Sequence, residues 1–428
     1  MKNFQIIFLV IFIAAAILGV LVFSGAIPVG KTSTGSLGKV VLWGTVPNAT
    51  ISNVMRDFNN ANPTFVVTYV QKSADTFDQD LLEASASGTG PDMFFLSDDL
   101  VFHYTNKIFT IPYQSYSLTS FKNNFAGAGE VFLTGSGILA FPISIDPLMM
   151  YYNRSILDAN GIIYPPSSWE EMVNIVPTLT KKDDSNKITK SALAFGYSSN
   201  IVHFKDILAT LFMQAGNPIV KEKDGVLSST LGSSIGSFNL PSMLKFYTDF
   251  ANPNNAVYSW NRSFPNSNDA FSREDLAFYF GYASELQSMV KRNPNQNFFV
   301  APMPQIKNST AKVTGARVTG VAISSFSKNI STAFLAASLM ATGDFASKFS
   351  TVTGMPPARR DLLAIKPQDA YSPIFYDSAL YAKSWLDPAS KNTDTIFSEM
   401  INAVISNNMS VADAIKDANT KLSLLLFK

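Results

Sequence analysis

Alternation between strand-like and helix-like segments restricts the fold of this chain more than any other feature. A one-sided apolar stripe typical of a helix, formed by Ile51, Val54, Met55 and Phe58, separates the first two strand-like runs. The runs are KVVLWGT (Lys39–Thr45), TFVVTYVQ (Thr64–Gln71) and PDMFFLS (Pro91–Ser97). Strands that alternate with helices predict an α/β fold with a parallel sheet. In such sheets ligands bind outside the carboxyl ends of the strands, which points to Trp43–Thr45 and Ser97–Asp99.

The size and composition indicate a globular protein with two domains. The chain has 428 residues, which exceeds one ordinary core. Hydrophobic residues make up 46% and charged residues 15%, so the chain is expected to fold rather than remain disordered. A formal net charge of +1 gives no general reason to bind nucleic acid.

The N-terminal segment contains an uncharged apolar run from Ile6 to Phe23. A bilayer span needs roughly 20 apolar residues, and this run is longer than the core of a typical signal peptide. We therefore predict a transmembrane anchor over residues 1–26, with the rest of the chain outside the cell because Lys2 precedes the span. Residues 27–38, rich in Ser, Thr and Gly, predict a flexible tether. A signal peptide cleaved at Ser24-Gly25-Ala26 is the alternative.

The residue inventory excludes several kinds of chemistry. The sequence has no cysteine, so disulfides, zinc–thiolate sites, iron–sulfur clusters and cysteine nucleophiles are excluded. The two histidines, His103 and His203, are distant in sequence and poorly supply a metal site or a catalytic triad. No G-x-x-x-x-G-K-[ST], G-x-S-x-G or H-E-x-x-H motif occurs. We expect no enzymatic activity, no metal and no cofactor, although a glycosidase with two remote carboxylates stays open as an alternative.

Aromatic and polar residues lie at the ends of several predicted strands. Two tyrosines directly follow a glycine, and glycine permits close approach of the backbone to a ligand. The full set is Trp43, Tyr197, Trp260, Tyr282 and Arg317. Aromatic faces pack on the C–H face of a pyranose, while hydrogen bonds from its hydroxyls to charged groups contribute roughly 1.5–3 kcal/mol each. The combination is typical of a sugar-binding site that needs no covalent chemistry.

The order of several motifs resembles the extracellular solute-binding proteins of family 1, the sugar-binding type of ABC importers. KVVLWGT resembles the first strand of that family and its Trp, and ASGTGPDMFFLS resembles its third strand. LMMYYNRSILDANGIIYPPSSWEEM resembles its block of Tyr-Tyr-Asn, Gly, Pro-Pro and Thr-Trp-Asp-Glu. LFMQAGN, FVAPMPQ, GVAISSFSKN and TGMPPARRDL follow in the same order. The resemblance covers Lys39 to the C-terminus.

The resemblance implies a periplasmic-binding-protein-like clamshell whose two lobes exchange strands. Lobe one is then expected to comprise residues 39–146 and 270–325, and lobe two residues 147–269 and 326–428. The expected ligand-binding residues at the cleft are Trp43, Thr45, Asp98, Asp146, Tyr197, Trp260, Tyr282 and Arg317. Replacing Trp43 or Trp260 by alanine is expected to weaken binding without unfolding the protein.

The resemblance also implies a carbohydrate solute and a closed form that docks on the permease subunits of an ABC transporter. Many relatives from single-membrane bacteria are tethered through a lipid-bearing cysteine, which this chain lacks, so the apolar N-terminal helix is expected to replace that tether. The expected location is the cell membrane, with the soluble domain extracellular. Three alternatives remain: the same fold binding a peptide, polyamine or glycerol-phosphate, a secreted carbohydrate hydrolase, and an adhesion or sensing protein.

Overall fold

The computed structural model describes residues 37–223, 225–233, 239–309 and 311–427, in which strands and helices alternate along the chain. Its strands are β1 (Lys39–Gly44), β2 (Val66–Gln71), β3 (Met93–Ser97), β4 (Ile111–Pro112), β5 (Leu133–Thr134), β6 (Gly137–Ile138), β7 (Ala140–Asn153), β8 (Lys181–Lys182), β9 (Ile188–Leu193), β10 (Val220–Lys223), β11 (Val226–Ser229), β12 (Leu276–Tyr282), β13 (Phe298–Ala301), β14 (Thr314–Ile323) and β15 (Ala382–Lys383).

Its α-helices are α1 (Asn48–Ala61), α2 (Phe77–Ala86), α3 (Val101–Tyr104), α4 (Leu118–Asn124), α5 (Arg154–Ala159), α6 (Trp169–Leu179), α7 (Phe204–Gln214), α8 (Leu240–Asp249), α9 (Ser267–Ser272), α10 (Leu286–Arg292), α11 (Ile330–Met340), α12 (Gly343–Thr353), α13 (Arg360–Leu363), α14 (Ser372–Leu380), α15 (Ser390–Ile405) and α16 (Val411–Leu426). Short 3₁₀ helices span Asp98–Leu100, Gly127–Phe132 and Ala283–Glu285.

A ten-stranded sheet runs through the described part of the molecule in the order β2-β1-β3-β14-β7-β12-β9-β8, with β13 paired to β7 and β15 to β14. β1 pairs parallel with both β2 and β3, so the predicted parallel start of the sheet is confirmed. β7 is buried at all 14 positions and joins two regions of the sheet. Its first half pairs with β14, whereas its second half pairs with β12 and β13.

Two hydrophobic cores lie along the two halves of this long strand. The first core contains β1–β3, the first half of β7, β14 and the helices α11 and α12. The second core contains the second half of β7, β9, β12 and β13 with the helices α6–α8, α15 and α16. The chain passes between the cores along β7, near the start of β14 and just after β15, so β7 and β14 connect the lobes as strands and the segment after β15 connects them as a loop.

The chain changes cores near the predicted boundary at 146/147, but the next two changes come later in the chain than the predicted boundaries at 269/270 and 325/326. β12 and β13, expected in lobe one, pair with the second half of β7 and pack in the second core. α11 and α12, expected in lobe two, pack in the first core. The resemblance alone implied the lobe boundaries, because the apolar pattern of a strand or a helix gives its buried face but does not identify the core that this face joins.

The segment after β7 has its local structure encoded in capping side chains. Asn153 caps α5 by accepting from the Ile156 amide at 3.0 Å, and Ser168 caps α6 by accepting from the Glu171 amide at 3.2 Å. The sequence also predicts that Glu171 returns a bond to the Ser168 amide. Its carboxylate instead accepts from the Ser167 amide at 2.8 Å, so the reciprocal half of the capping box is shifted by one residue.

No helix in the described ranges, which begin at residue 37, is long and apolar enough to cross a membrane. The predicted span Ile6–Phe23 lies outside the described residues, as does most of the predicted tether.

Candidate functional site between the two cores

A cavity of about 540 Å³ lies between the two cores, where β7 and β14 pass from one to the other. We call it the hinge cavity. Its walls are Ser97–Asp99 after β3, Asp146 on β7, Arg317 on β14, and Tyr282 with His203–Asp206 from the second core. The position of Ser97–Asp99 follows the rule that ligands bind beyond the carboxyl ends of parallel strands.

Arg317 is a cation on the strand that connects the cores. Its guanidinium donates to Oδ2 of Asp206 at 3.3 Å and lies 4.1 Å from the centroid of the Tyr282 ring. Burial alone would lower the pKa of Arg317, but the Tyr282 oxygen and the carboxylates of Asp206 and Asp98 raise it above its ordinary value. Arg317 therefore stays charged, with donors directed at carboxylates and at the cavity.

Two nearly buried carboxylates face Arg317 from the first core and from β7. Asp98 is 8% exposed and accepts from the Val318 amide at 3.2 Å and from the Ser384 hydroxyl. Asp146 is 6% exposed and accepts from the amide and the hydroxyl of Ser284, at 3.0 and 2.6 Å. Burial raises the pKa of Asp98 to about 7 and that of Asp146 to about 6. Both carboxyl groups are held rigidly, as a binding site requires.

His203 supports the wall of the cavity from the start of α7. It adopts a left-handed backbone conformation, with φ of 63°. Its Nε2 lies 2.6 Å from Oε1 of Glu285, and its Nδ1 lies 3.7 Å from Oδ2 of Asp206. Burial would lower the pKa of His203, but these two carboxylates outweigh it and raise the pKa to about 8. His203 thus fixes the orientation of Asp206, the partner of Arg317.

Lys205 joins two parts of the second core at the edge of the same cavity. Its ammonium lies 2.9 Å from Oδ2 of Asp387 and 2.7 Å from Oδ1 of Asp394, which belong to the segment leading into α15 and to α15 itself. Burial would lower the pKa of Lys205, yet the Asp387 and Asp394 carboxylates raise it. The ion pairs hold α7 and α15 together where both face the cleft.

Of the eight predicted site residues, the structure brings Asp98, Asp146, Tyr282 and Arg317 together around the hinge cavity. The strand-end rule and the family resemblance therefore led to neighbouring side chains, and their role in binding stays a prediction. The glycine before Tyr282 was expected to let a ligand approach the backbone. Gly281 and Tyr282 instead both lie within β12. A Cβ at Gly281 would overlap the ring of Tyr279, so the glycine makes room for that ring rather than for a ligand.

The other four predicted residues lie outside the hinge cavity. Trp260 is 0% exposed and belongs to the second core, so its ring does not line the hinge cavity, and its role in binding stays a prediction. Trp43 is 9% exposed, and the Lys72 ammonium covers its ring at 3.8 Å. Thr45 is exposed, and the Tyr197 ring lies 5.2 Å from the guanidinium carbon of Arg262. Each of these three residues either packs locally or faces solvent.

Lys383 and Trp385 line the hinge cavity and, like Lys205 and Asp206, were missed by the sequence reasoning. Trp385 is half-buried, and its ring stacks at 6.2 Å on Phe397 of the second core. The run YAKSWLDP contains only the two-residue strand β15, so no long apolar segment marks a strand end there. The dipeptide Ser-Trp in a polar segment is the one signal that could have drawn attention to it.

A second cavity, of about 960 Å³, adjoins the first and shares Lys383 and Trp385 with it. We call it the outer compartment. The first core contributes Leu133, whereas Leu227 and Phe102 pack against the second core. The cleft between the cores is therefore longer than the hinge cavity alone.

The raised pKa of Asp98 leads to a prediction about stability. Because the folded-state pKa is about 7 and the ordinary value is 3.8, the ionised form costs free energy in the fold, and stability is lost as the pH rises from 3.8 through 7. Asp98→Asn should therefore raise the unfolding free energy by on the order of 2–4 kcal/mol at pH 7.5 but not at pH 4. Urea unfolding at both pH values measures the difference. Asp75→Asn, at an exposed position, is the control, and an equal effect of Asp98→Asn at both pH values would contradict the prediction.

Together these features define a two-lobed α/β protein with a polar cavity where strands connect the lobes. Residues 53–373 match the family of bacterial extracellular solute-binding proteins, and the chain therefore belongs to that family. A binding protein of Brucella abortus is 24% identical over 321 residues, which make up 72% of this chain and 72% of that protein.

Solved structures share the fold at low identity. A cyclo/maltodextrin-binding protein complexed with maltotetraose superposes with a TM-score of 0.73 at 18% identity, covering 90% of this chain and 96% of that one. The sugar-binding protein MalE from Xanthomonas citri gives 0.74 at 16%, covering 91% and 97%. The predicted family and the two-lobed periplasmic-binding-protein-like fold are thereby confirmed.

Proposed function

We propose that this protein is the extracellular substrate-binding component of an ABC-type importer and binds a sugar or oligosaccharide between its lobes. The observation that carries the proposal is the hinge cavity, where the Arg317 guanidinium and several carboxylates with fixed orientation converge between two cores. The fold shared with a maltodextrin-binding protein and with a sugar-binding MalE supports a carbohydrate as the solute.

The residues of the cavity suit a polyhydroxylated solute. Arg317 supplies donors, Asp98 and Asp146 supply acceptors, and Tyr282 supplies an aromatic ring beneath the guanidinium. Each oxygen of a sugar is both donor and acceptor, so a mixed set of charged partners can satisfy neighbouring hydroxyls. Binding of this kind makes and breaks no covalent bond, and we propose no catalytic activity.

Closure of the lobes would couple binding to transport. A solute that contacts both cores favours the closed form by the difference between its affinities for the closed and open forms. β7, β14 and the segment after β15 are the connections about which the lobes would turn. The closed form would then dock on permease subunits, with residues 1–26 as a membrane anchor, or as a cleaved signal segment, and the soluble domain outside the cell.

The charge of the hinge cavity favours one second candidate, a receptor of the same fold for a polyamine. Six aspartates line the cavity, against Lys205, Arg317, Lys383 and His203 as groups that carry positive charge. Most of these charges are already paired within the protein. The uncharged sugar therefore remains our proposal, and a polyamine is included in the screen below.

A thermal-shift screen over mono-, di- and oligosaccharides tests the proposal. At a ligand concentration 100 times Kd, binding to the folded state adds about 2.7 kcal/mol to the unfolding free energy and raises Tm. Spermidine, glycerol 3-phosphate and a tripeptide represent the alternative solutes. We expect a sugar to give the largest shift, whereas a shift with spermidine alone would replace our proposal by the polyamine receptor. Release of products from a bound glycan would indicate a hydrolase instead.

The variant Arg317→Gln tests whether the sugar identified in the screen binds in the hinge cavity. Loss of hydrogen bonds from a charged group at about 1.5–3 kcal/mol each should weaken sugar binding roughly 10- to 100-fold. Arg262→Gln is the matched control, because Arg262 also lies over a tyrosine ring, that of Tyr197, but lines neither cavity. Equal affinities of the two variants by calorimetry would place the solute outside the hinge cavity.

A further inference from the structure

The outer compartment differs in chemistry from the hinge cavity. Its charged lining residues among the described ranges are Glu130, Glu222 and Lys383, and the Glu130 carboxylate already lies 3.5 Å from the Lys122 ammonium. Most of the remaining wall is aliphatic or aromatic. Flat aromatic platforms, which suit the C–H faces of sugars, are few there, so the wall is poorly matched to further pyranose units.

Several of these apolar side chains are open to solvent. Val226 is 64% exposed and Phe427 is 79% exposed, both on the side of the second core. Leu133 lines the compartment from the side of the first core and is half-buried, as is Phe102, which packs against the second core. Isolated exposed apolar residues are ordinary on protein surfaces, but a set that lines one cavity from two sides marks a binding groove.

The outer compartment is continuous with the hinge cavity through Trp385. This side chain lines both cavities, and its ring is held against Phe397 of the second core. A solute whose polar head occupies the hinge cavity would therefore pass Trp385 before its remaining atoms reach the apolar wall. The occupant of the outer compartment is accordingly a continuation of the same solute.

We propose that the solute of this protein is amphiphilic, with a polyhydroxylated head in the hinge cavity and an apolar aglycone, alkyl or aryl, in the outer compartment. The proposal rests on the proposed function and specifies the class of glycoside that it selects. Trp385 separates the two halves of the site, and Val226, Leu133 and Phe427 are the contacts of the apolar half.

Alkyl glycosides of increasing length test the proposal. The probes are the methyl, butyl, hexyl and octyl β-glycosides of glucose and maltose below their micelle concentrations, with maltose, maltotriose and maltotetraose as unsubstituted sugars. Because transfer of methylene groups from water to an apolar wall is favourable, we expect Kd to fall about tenfold for every two methylenes that become buried. Isothermal titration calorimetry on the full chain measures both series.

A pair of matched variants shows where the alkyl chain binds. Val226→Asp places a carboxylate in the outer compartment and should reduce the affinity gained from the octyl chain at least tenfold. Ile163→Asp is the control, since Ile163 is 65% exposed and lines neither cavity. Equal losses in the two variants would mean that the chain binds elsewhere, which overturns the proposal.

The two sugar series separate the failure of this inference from that of the proposed function. If affinity grows with the number of sugar units but does not change with alkyl length, the outer compartment binds sugar. That result would overturn the proposal of an amphiphilic solute. Short sugars that bind with no gain from either extension would also overturn it and leave the proposed function intact. Absence of any shift in the whole sugar screen would overturn both.

Discussion

Replacing Trp260 by alanine should reduce the free energy of unfolding by about 3–5 kcal/mol, the range found when large aromatic side chains are deleted from a core. The ring is 0% exposed and stacks on Phe264 with centroids 4.5 Å apart. Its indole N–H donates to Oδ1 of Asn200 at 3.0 Å. The variant therefore leaves both a cavity and an unpaired buried oxygen, and the second defect adds to the first.

Urea unfolding with sugar affinity measured in parallel checks this result. Tyr164→Ala is the control, because Tyr164 is 81% exposed and substitutions at such surface positions usually change stability by less than about 0.5 kcal/mol. A variant of Trp260 that keeps full stability but loses sugar affinity would support the role predicted from the sequence. Lost stability with unchanged affinity under folding conditions would confirm the core assignment.

The position of Trp260 shows why a sequence pattern can mislead at a polar loop. The segment around it, residues 252–269, is rich in Asn, Ser and Pro, a composition typical of an exposed turn. In the structure the side-chain amide of Asn200 donates to the carbonyls of Asn261 and Phe264, at 3.0 and 3.1 Å, and holds this loop onto the second core. Because the bonds join residues about 60 positions apart, no local pattern contains them.

Local signals, by contrast, were sufficient for the start of the sheet and for several helix ends. The predicted strand at Lys39–Thr45 is β1, and Ser410, a residue type that favours helix starts, caps α16 by accepting from the Asp413 amide at 3.2 Å. Asp98 was found because β3 is a continuous apolar run that ends in polar residues, whereas Trp385 follows a strand of two residues. β15 forms by pairing with β14, so its existence depends on tertiary contacts rather than on its own sequence.

Some residues of the candidate site are brought together by strand pairing, and others by the packing of helices. Arg317 and Asp146 are cross-strand partners on β14 and β7, and two adjacent buried strands bring their side chains to one place. Tyr282 joins them because β12 pairs with β7. Lys205 was not predicted, because a lysine in an amphipathic helix is ordinarily solvated and only the acidic residues before and within α15 make its burial favourable.

Lys205→Met should destabilise the protein by about 3–5 kcal/mol, because it removes one partner of a buried ion pair and leaves the other uncompensated. Lys205 is 7% exposed and Asp387 is 5% exposed. Within the described ranges the Asp387 carboxylate would keep the Thr393 hydroxyl and the Ala389 amide as donors. Burial already raises the pKa of Asp387, and loss of the cation raises it further, so the deficit should be smaller at pH 5 than at pH 8.

Unfolding in urea at the two pH values, together with a second substitution at the partner, tests whether the buried charge is the cause. The double variant Lys205→Met with Asp387→Leu should recover part of the lost stability, because neither charge then remains buried alone. Lys245→Met is the matched control: Lys245 also pairs with an aspartate, Asp249 at 2.7 Å, but its side chain is 62% exposed, so the loss should stay below about 1 kcal/mol. A double variant less stable than Lys205→Met, or a deficit independent of pH, would show that Lys205 acts through packing of its aliphatic chain rather than through its charge.

The same variants also test whether this ion pair prepares the site for binding, because α7 and α15 form one wall of the hinge cavity. If the single variant loses sugar affinity and the double variant recovers it, the ion pair contributes to the preorganisation of the site.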